Sequence, residues 1–164
     1  MCTDESTGQS WTLPDEMATA ALGESVALAL DGGLVLYLYG PLGAGKTSFA
    51  RALLTALGVG ERIKSPTYTL LESYRTAADT PAWHLDLYRI GDPGELEWLG
   101  LDALEDPAAV ILVEWAERGL GALPAADLAL HLDYAGEGRQ ALLQAHSARG
   151  RHLLGRLQGA ALQA

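Results

Sequence analysis

The segment Gly40-Pro41-Leu42-Gly43-Ala44-Gly45-Lys46-Thr47 is a complete G-x-x-x-x-G-K-[ST] pattern, and it constrains the chain more than any other feature. Such a loop works only where a strand runs into it and a helix runs out of it. Both flanks comply. Leu34-Val35-Leu36-Tyr37-Leu38-Tyr39 reads as a buried strand, and Phe49, Leu53, Ala56 and Leu57 mark one face of a helix that Gly58 ends. The glycines Gly40, Gly43 and Gly45 let backbone wrap closely around phosphate oxygens, while the helix aims its first N–H groups and its dipole at the same charge. Lys46 then reaches β- and γ-phosphates, and the Thr47 hydroxyl binds Mg²⁺. Leu42, Ala44 and Ser48 complete the candidate nucleotide-binding stretch. The alternative is an ordinary glycine-rich turn between a strand and a helix.

With 164 residues and 49% hydrophobic content, the chain is expected to form one domain around a sizeable core. Residues 1–8 read as a disordered polar tail and residues 9–164 as the single domain. No uncharged apolar run of about 18 residues occurs, so no membrane helix is expected. The start Met1-Cys2-Thr3-Asp4-Glu5 has neither the basic nor the apolar region of a secretory signal, which predicts a cytoplasmic protein. Cys2 is the single cysteine, too few for an internal disulfide or a thiolate cluster, so any metal is held by oxygen. A net charge of −10 disfavours a broad nonspecific grip on nucleic acid, DNA included, because such binding needs clustered cations. Local or partner-mediated RNA contact stays open. Arg149, His152 and Arg156 share one side of a predicted C-terminal helix with Ser147 as N-cap, either a solvated face beside Leu153, Leu157 and Ala160 or a surface for a partner or RNA.

The rest of the chain alternates strands and helices. A short strand around Ser10–Leu13 precedes a helix opened by Pro14, Asp15 and Glu16, with Ala18, Leu22, Val26, Ala29 and Leu30 on its buried stripe. Ser65-Pro66-Thr67 breaks regular structure, and strands are expected through Tyr68–Tyr74 and Trp83–Tyr88, separated by a turn at Thr80-Pro81. Asp92-Pro93-Gly94-Glu95 opens a short helix running to about Gly100. Ala109–Val113 reads as a buried parallel strand ending in Glu114. Asp127–Tyr134 and Arg139–His146 read as a hairpin turning at Gly136-Glu137-Gly138. The expected fold is α/β: a P-loop NTPase-like three-layer sandwich with a mostly parallel central sheet and an antiparallel C-terminal hairpin.

A phosphate loop needs a carboxylate at the end of a neighbouring strand, and two are available. Glu114 follows Val110-Ile111-Leu112-Val113, the hydrophobic-strand-then-acid arrangement of a Walker B element. Asp86 sits in His84-Leu85-Asp86-Leu87-Tyr88-Arg89. A charge ending a buried strand needs a partner, which a metal or an arginine supplies. Thr67 is either a switch residue that senses γ-phosphate and Mg²⁺ or an ordinary loop hydroxyl. Trp115 packs against nucleotide, against a partner, or in the core. Arg89 is a candidate for neutralising transition-state charge or a solvated arginine. His84, His131, His146 and His152 lack metal-ligand spacing and are read as structural or exposed.

The phosphate loop, Ser65-Pro66-Thr67-Tyr68-Thr69-Leu70, His84-Leu85-Asp86-Leu87-Tyr88-Arg89 and Leu112-Val113-Glu114-Trp115 occur in the order seen in TsaE (YjeE) proteins, and the chain resembles that family over nearly all of its length after residue 10. The resemblance implies a small ATPase of bacterial tRNA modification. It would work with TsaB and TsaD, which install threonylcarbamoyl on the adenosine beside the anticodon, and use ATP to reset that machinery between turnovers. tRNA would be reached through the complex. By the same resemblance Lys46 grips the phosphates, and Thr47 and Glu114 hold Mg²⁺ directly or through water. Asp86 lies near the γ-phosphate, Thr67 belongs to a switch segment, and Trp115 flanks the nucleotide. The family often carries an acid where this chain has Pro41; binding should survive the loss of one N–H, but any role of that acid in hydrolysis is absent. Three other readings compete: a small-molecule kinase with Asp86 as base, a GTP-dependent switch, and an adaptor that binds nucleotide without hydrolysing it. The absence of asparagine from the chain removes the Asn-Lys-x-Asp guanine motif and with it the switch.

Overall fold

The computed structural model describes residues 8–60, 63–64, 70–99 and 101–161. Among the described residues are seven strands, β1 (Gly8–Leu13), β2 (Leu34–Tyr39), β3 (Leu71–Arg75), β4 (Pro81–Asp86), β5 (Val110–Glu114), β6 (Leu128–Ala135) and β7 (Gly138–Ala145), and three α-helices, α1 (Glu16–Ala29), α2 (Lys46–Ala56) and α3 (Ala148–Ala161). The strands form one sheet of order β1-β7-β6-β2-β5-β4-β3. The four central strands β6, β2, β5 and β4 run parallel. At the edges β3 pairs antiparallel with β4, β7 with β6, and β1 with β7. The sheet is therefore mixed rather than mostly parallel, because each edge turns back on its neighbour.

Side-chain alternation along β2 splits the core in two. Leu34, Leu36 and Leu38 join Leu112, Leu130, Phe49 and Leu53 under the helices. Val35 and Tyr37 face the other way with Ile111, Val113, Leu85 and Leu96. Being buried on both faces explains why β2 reads as continuous apolar sequence. The second face is covered by 3₁₀ segments at Pro93–Leu99 and Leu101–Glu105 and by the chain after β5, not by α-helices. The expected helix after Asp92 is thus a 3₁₀ segment, opened by Asp92 Oδ1 accepting from Gly94 N at 2.9 Å.

Local chemistry sets the helix ends. Asp15 lies just outside α1, and its carboxylate accepts from Ala18 N at 2.9 Å as N-cap. α1 packs closely on α2 because position 23 is glycine; a Cβ there would meet Phe49 O at 2.7 Å. Ser147 caps α3 by accepting from Gly150 N at 3.0 Å. On the basic side of α3, Arg149 binds Asp127, while Arg156 and His152 lie 3.5 Å and 3.8 Å from the exposed Asp31.

Asp127 ties four elements together. Its carboxylate accepts from Val35 N at 2.8 Å, from Ser147 Oγ at 2.7 Å, and from Arg149 Nε and Nη2 at 3.1 and 2.8 Å. Its N–H donates to Val35 O and its carbonyl accepts from His146 N, both at 2.8 Å. Burial pushes this carboxyl up, but the hydrogen bonds from Arg149, Ser147 and Val35 and the Arg149 charge outweigh it and hold the group below its usual 3.8. An Asp127→Ala substitution strands a buried N–H and an arginine, and should cost about 3 kcal/mol in urea unfolding. Because the folded value is depressed, the unfolded chain binds more protons as pH falls. The Asp127 contribution is full above about pH 4 and is lost as pH drops further through the folded value, so unfolding of Asp127→Asn should show a shallower acid slope.

Candidate functional site

Parallel pairing delivers the key side chains to one end of the sheet. Leu38 pairs with Glu114, and Asp86 pairs with Glu114 on the other side. Since Ile111, Val113, Leu85 and Leu87 occupy the opposite face, alternation turns Glu114, Asp86 and His84 toward α2.

The loop between β2 and α2 adopts positive φ at Gly40 (150°), Gly43 (76°) and Gly45 (106°). At Gly40 the requirement is also spatial, since a Cβ would meet Leu132 O at 2.4 Å. Gly45 is the N-cap of α2 and supplies no side-chain cap, leaving the opening of the helix to other acceptors. The loop's outer carbonyls are held from β6 and β7. Tyr134 donates its hydroxyl to Leu42 O, and Arg139 Nη2 donates to Gly43 O at 3.1 Å. The Arg139 guanidinium lies 4.5 Å from the Tyr134 ring centroid. Ser48, one residue beyond Thr47, donates to Glu16 at 3.0 Å on the far side of the loop.

Lys46 is only 5% exposed. Its Nζ donates to Gly40 O, and to Pro41 O at 3.3 Å, and sits 4.0 Å from the Trp115 ring centroid. Burial lowers its pKa, while Glu114, Glu117 and Asp86 pull it back up. Next to it, Thr47 Oγ1 donates to Glu114 Oε1 at 2.8 Å. Glu114 Oε2 lies 2.7 Å from His84 Nε2. Asp86, 7% exposed, accepts through Oδ1 from Tyr88 N at 3.0 Å.

Trp115 follows Glu114 with φ 58°, ψ 42°. A tryptophan in this left-handed region carries strain on the order of 1 kcal/mol, and such strain clusters at functional sites. The turn lays its ring over Lys46 and beside Tyr88, 5.1 Å centroid to centroid. Arg118 stands 5.0 Å and 5.4 Å from the Tyr88 and Trp115 rings and donates to Tyr88 O.

Loop residues 42–47 with Asp86, Tyr88, Arg89, Glu114 and Trp115 line a cavity of about 210 Å³. A second opening of about 260 Å³ flanks the loop between α1 and the β6–β7 turn. The apolar hollow beside α1 and α3 is larger, about 510 Å³, but the clustered acids and the buried lysine are at the smaller one. The carboxylates of Asp86 and Glu114 share this cavity with the cations of Lys46 and Arg89. Among the described residues no three His, Cys, Asp or Glu side chains converge as a metal cage. The oxygens of Thr47, Glu114 and Asp86 fit instead an ion such as Mg²⁺, which takes one or two carboxylates and finds its remaining ligands in phosphate and water.

The structure thus gathers Lys46, Thr47, Glu114, Asp86 and Trp115 in one cavity with the glycine loop. Thr67 lies outside the described residues. His84, read from sequence as merely structural or exposed, is fully buried against Glu114. Tyr134, Arg139 and Arg118 were not singled out, and only proximity in the fold links them to the loop.

A family profile for "Threonylcarbamoyl adenosine biosynthesis protein TsaE" matches residues 13–141. The chain is 37% identical to the tRNA threonylcarbamoyladenosine biosynthesis protein TsaE of Haemophilus influenzae over 147 residues, covering 87% of this chain and 92% of that one. It is 36% identical to the Bacillus subtilis protein of the same name, covering 77% and 78%. The crystal structure of Bacillus subtilis YdiB superposes with a TM-score of 0.81 at 29% identity, covering 96% of this chain and 99% of YdiB. With a profile match across most of its length and relatives that align over most of theirs, the chain belongs to the TsaE family of threonylcarbamoyl adenosine biosynthesis proteins.

Proposed function

We propose that the chain is a Mg²⁺-dependent ATP-binding protein and slow ATPase of P-loop type. It supports TsaB and TsaD in forming threonylcarbamoyladenosine in tRNA and resets their complex between turnovers, in the cytoplasm, with tRNA reached through the complex. The observation that carries this reading is the 2.8 Å contact between Thr47 and Glu114 beneath the glycine loop, with Lys46 buried beside them. A hydroxyl, a carboxylate and an ammonium at the uncapped start of a helix form a receptor for a metal-bound polyphosphate.

Each residue then has a defined task. The loop and the start of α2 bind phosphate through backbone N–H groups. Lys46 exchanges its two carbonyl partners for β- and γ-phosphate oxygens, a stronger charge-assisted contact. Thr47 and Glu114, with Asp86 in the same cavity, would hold Mg²⁺, which would neutralise charge on the phosphates. Asp86 orients water for attack and accepts its proton. Trp115 and Tyr88 shield the Lys46 side of the cavity from solvent. Pro41 brings no acid to the loop, so Asp86 is the carboxylate assigned to the attacking water.

Replacing Lys46 by Ala should weaken Mg·ATP binding about 10- to 100-fold by calorimetry, the worth of one charge-assisted phosphate contact. Unchanged affinity would refute the site. Asp86→Asn should keep ATP affinity within about 3-fold yet lower hydrolysis about 100-fold or more, the usual worth of a general base. Turnover should rise when TsaB and TsaD are added. Tight ATP binding with no turnover in either setting would leave a nucleotide-dependent adaptor in place of an ATPase.

A further inference from the structure

His84 is 0% exposed in the middle of β4, and its Nε2 lies 2.7 Å from Glu114 Oε2. Glu114 is itself 2% exposed. A carboxylate this deep needs a donor at each oxygen, since an unmatched charge there is costly. The structure gives it Thr47 at Oε1 and His84 at Oε2. These two donors differ in kind. Thr47 opens α2 and faces the cavity, so its hydroxyl is free to turn toward a cation. His84 is wedged in the sheet, with its backbone in register opposite Leu112, and has nowhere to turn. We propose that His84 is a positioning residue for Glu114: it pins one carboxylate oxygen so that the other stays directed at Thr47 and the metal side of the cavity. The role rests on the Mg·ATP reading above.

The proposal requires one tautomer: to donate to the Glu114 carboxylate, the imidazole carries its hydrogen on Nε2. Nδ1 has no partner among the described residues, as suits a bare nitrogen better than an N–H. Outer-shell donors of this type hold a ligating group at the right angle, and removing them costs about 10- to 100-fold in metal affinity in known sites. A histidine that only filled space in the sheet would influence the metal no more than it influences any other property of the fold.

The test uses the full chain with His84→Leu, which keeps bulk and loses the donor, and His84→Gln, whose amide nitrogen is as many bonds from Cβ as Nε2. A fluorescent ATP analogue is titrated in Mg²⁺ and in EDTA. His84→Leu should weaken binding at least about 10-fold in Mg²⁺ and less than about 2-fold in EDTA, while His84→Gln returns to within about 3-fold of wild type. Equal losses in both buffers, or no loss in Mg²⁺, would overturn the proposal. Should His84→Leu not fold, ¹⁵N-histidine spectra of the wild-type chain decide, with the His84 signals assigned by their disappearance in His84→Gln. Hydrogen on Nε2 supports the role, and hydrogen on Nδ1 overturns it. A wild type whose ATP affinity ignores Mg²⁺ would bring down the metal reading of the site as well, whereas a Mg²⁺-responsive wild type beside an equally responsive His84→Leu removes only His84 from it.

Discussion

The parallel pairing of β2 with β5 is the contact on which the remainder depends. Its register sets Leu38 opposite Glu114, so the strand that feeds the glycine loop and the strand that ends in the acid finish at the same end of the sheet. A one-residue slip would turn Glu114 to the face covered by the 3₁₀ segments and part it from Thr47. On its other side β2 is pinned to the start of β6, where Val35 exchanges hydrogen bonds with both the backbone and the carboxylate of Asp127. Core and site are thereby coupled along a single strand.

At the site, the polar groups satisfy one another with contacts that a ligand can replace. Lys46 rests on loop carbonyls and against Trp115, while Thr47 rests on Glu114. Both groups line the cavity, and the polyphosphate and metal proposed for it would offer them stronger partners. The surroundings hold position meanwhile: Tyr134 and Arg139 fix the loop's outer carbonyls, and the left-handed turn at Trp115 fixes the ring over Lys46. A scaffold that is already organised avoids paying ordering entropy when ligand arrives.

Much of this was legible in sequence because the decisive features are local. The glycine loop, the apolar run of β2 and the acid after Val113 are contiguous signals, and the positions of strands and helices follow from them within a few residues. What was not legible depends on pairing direction and on distant contacts. Nothing in the alternation of Trp11 or Tyr74 says that β1 and β3 run antiparallel at the two edges. Nothing in Arg149 says that its guanidinium folds back onto Asp127 across the start of α3. His84 is the instructive omission. A lone histidine in an apolar strand reads as structural or exposed; its spacing of two residues from Asp86 puts both on one face, and the register of β4 with β5 puts that face beside Glu114. The short helix after Asp92 became 3₁₀ while it packed Leu96 into the second core, a tertiary choice that the capping pattern could not disclose.

The most direct measurement of the central claim is a crystal structure of the chain with Mg²⁺ and a non-hydrolysable ATP analogue. The account predicts Lys46 moved from the Gly40 carbonyl onto the β- and γ-phosphates, with the metal bound by Thr47 and Glu114 directly or through water. An analogue bound elsewhere, with Lys46 still on the loop carbonyls and Thr47 still on Glu114, would contradict it.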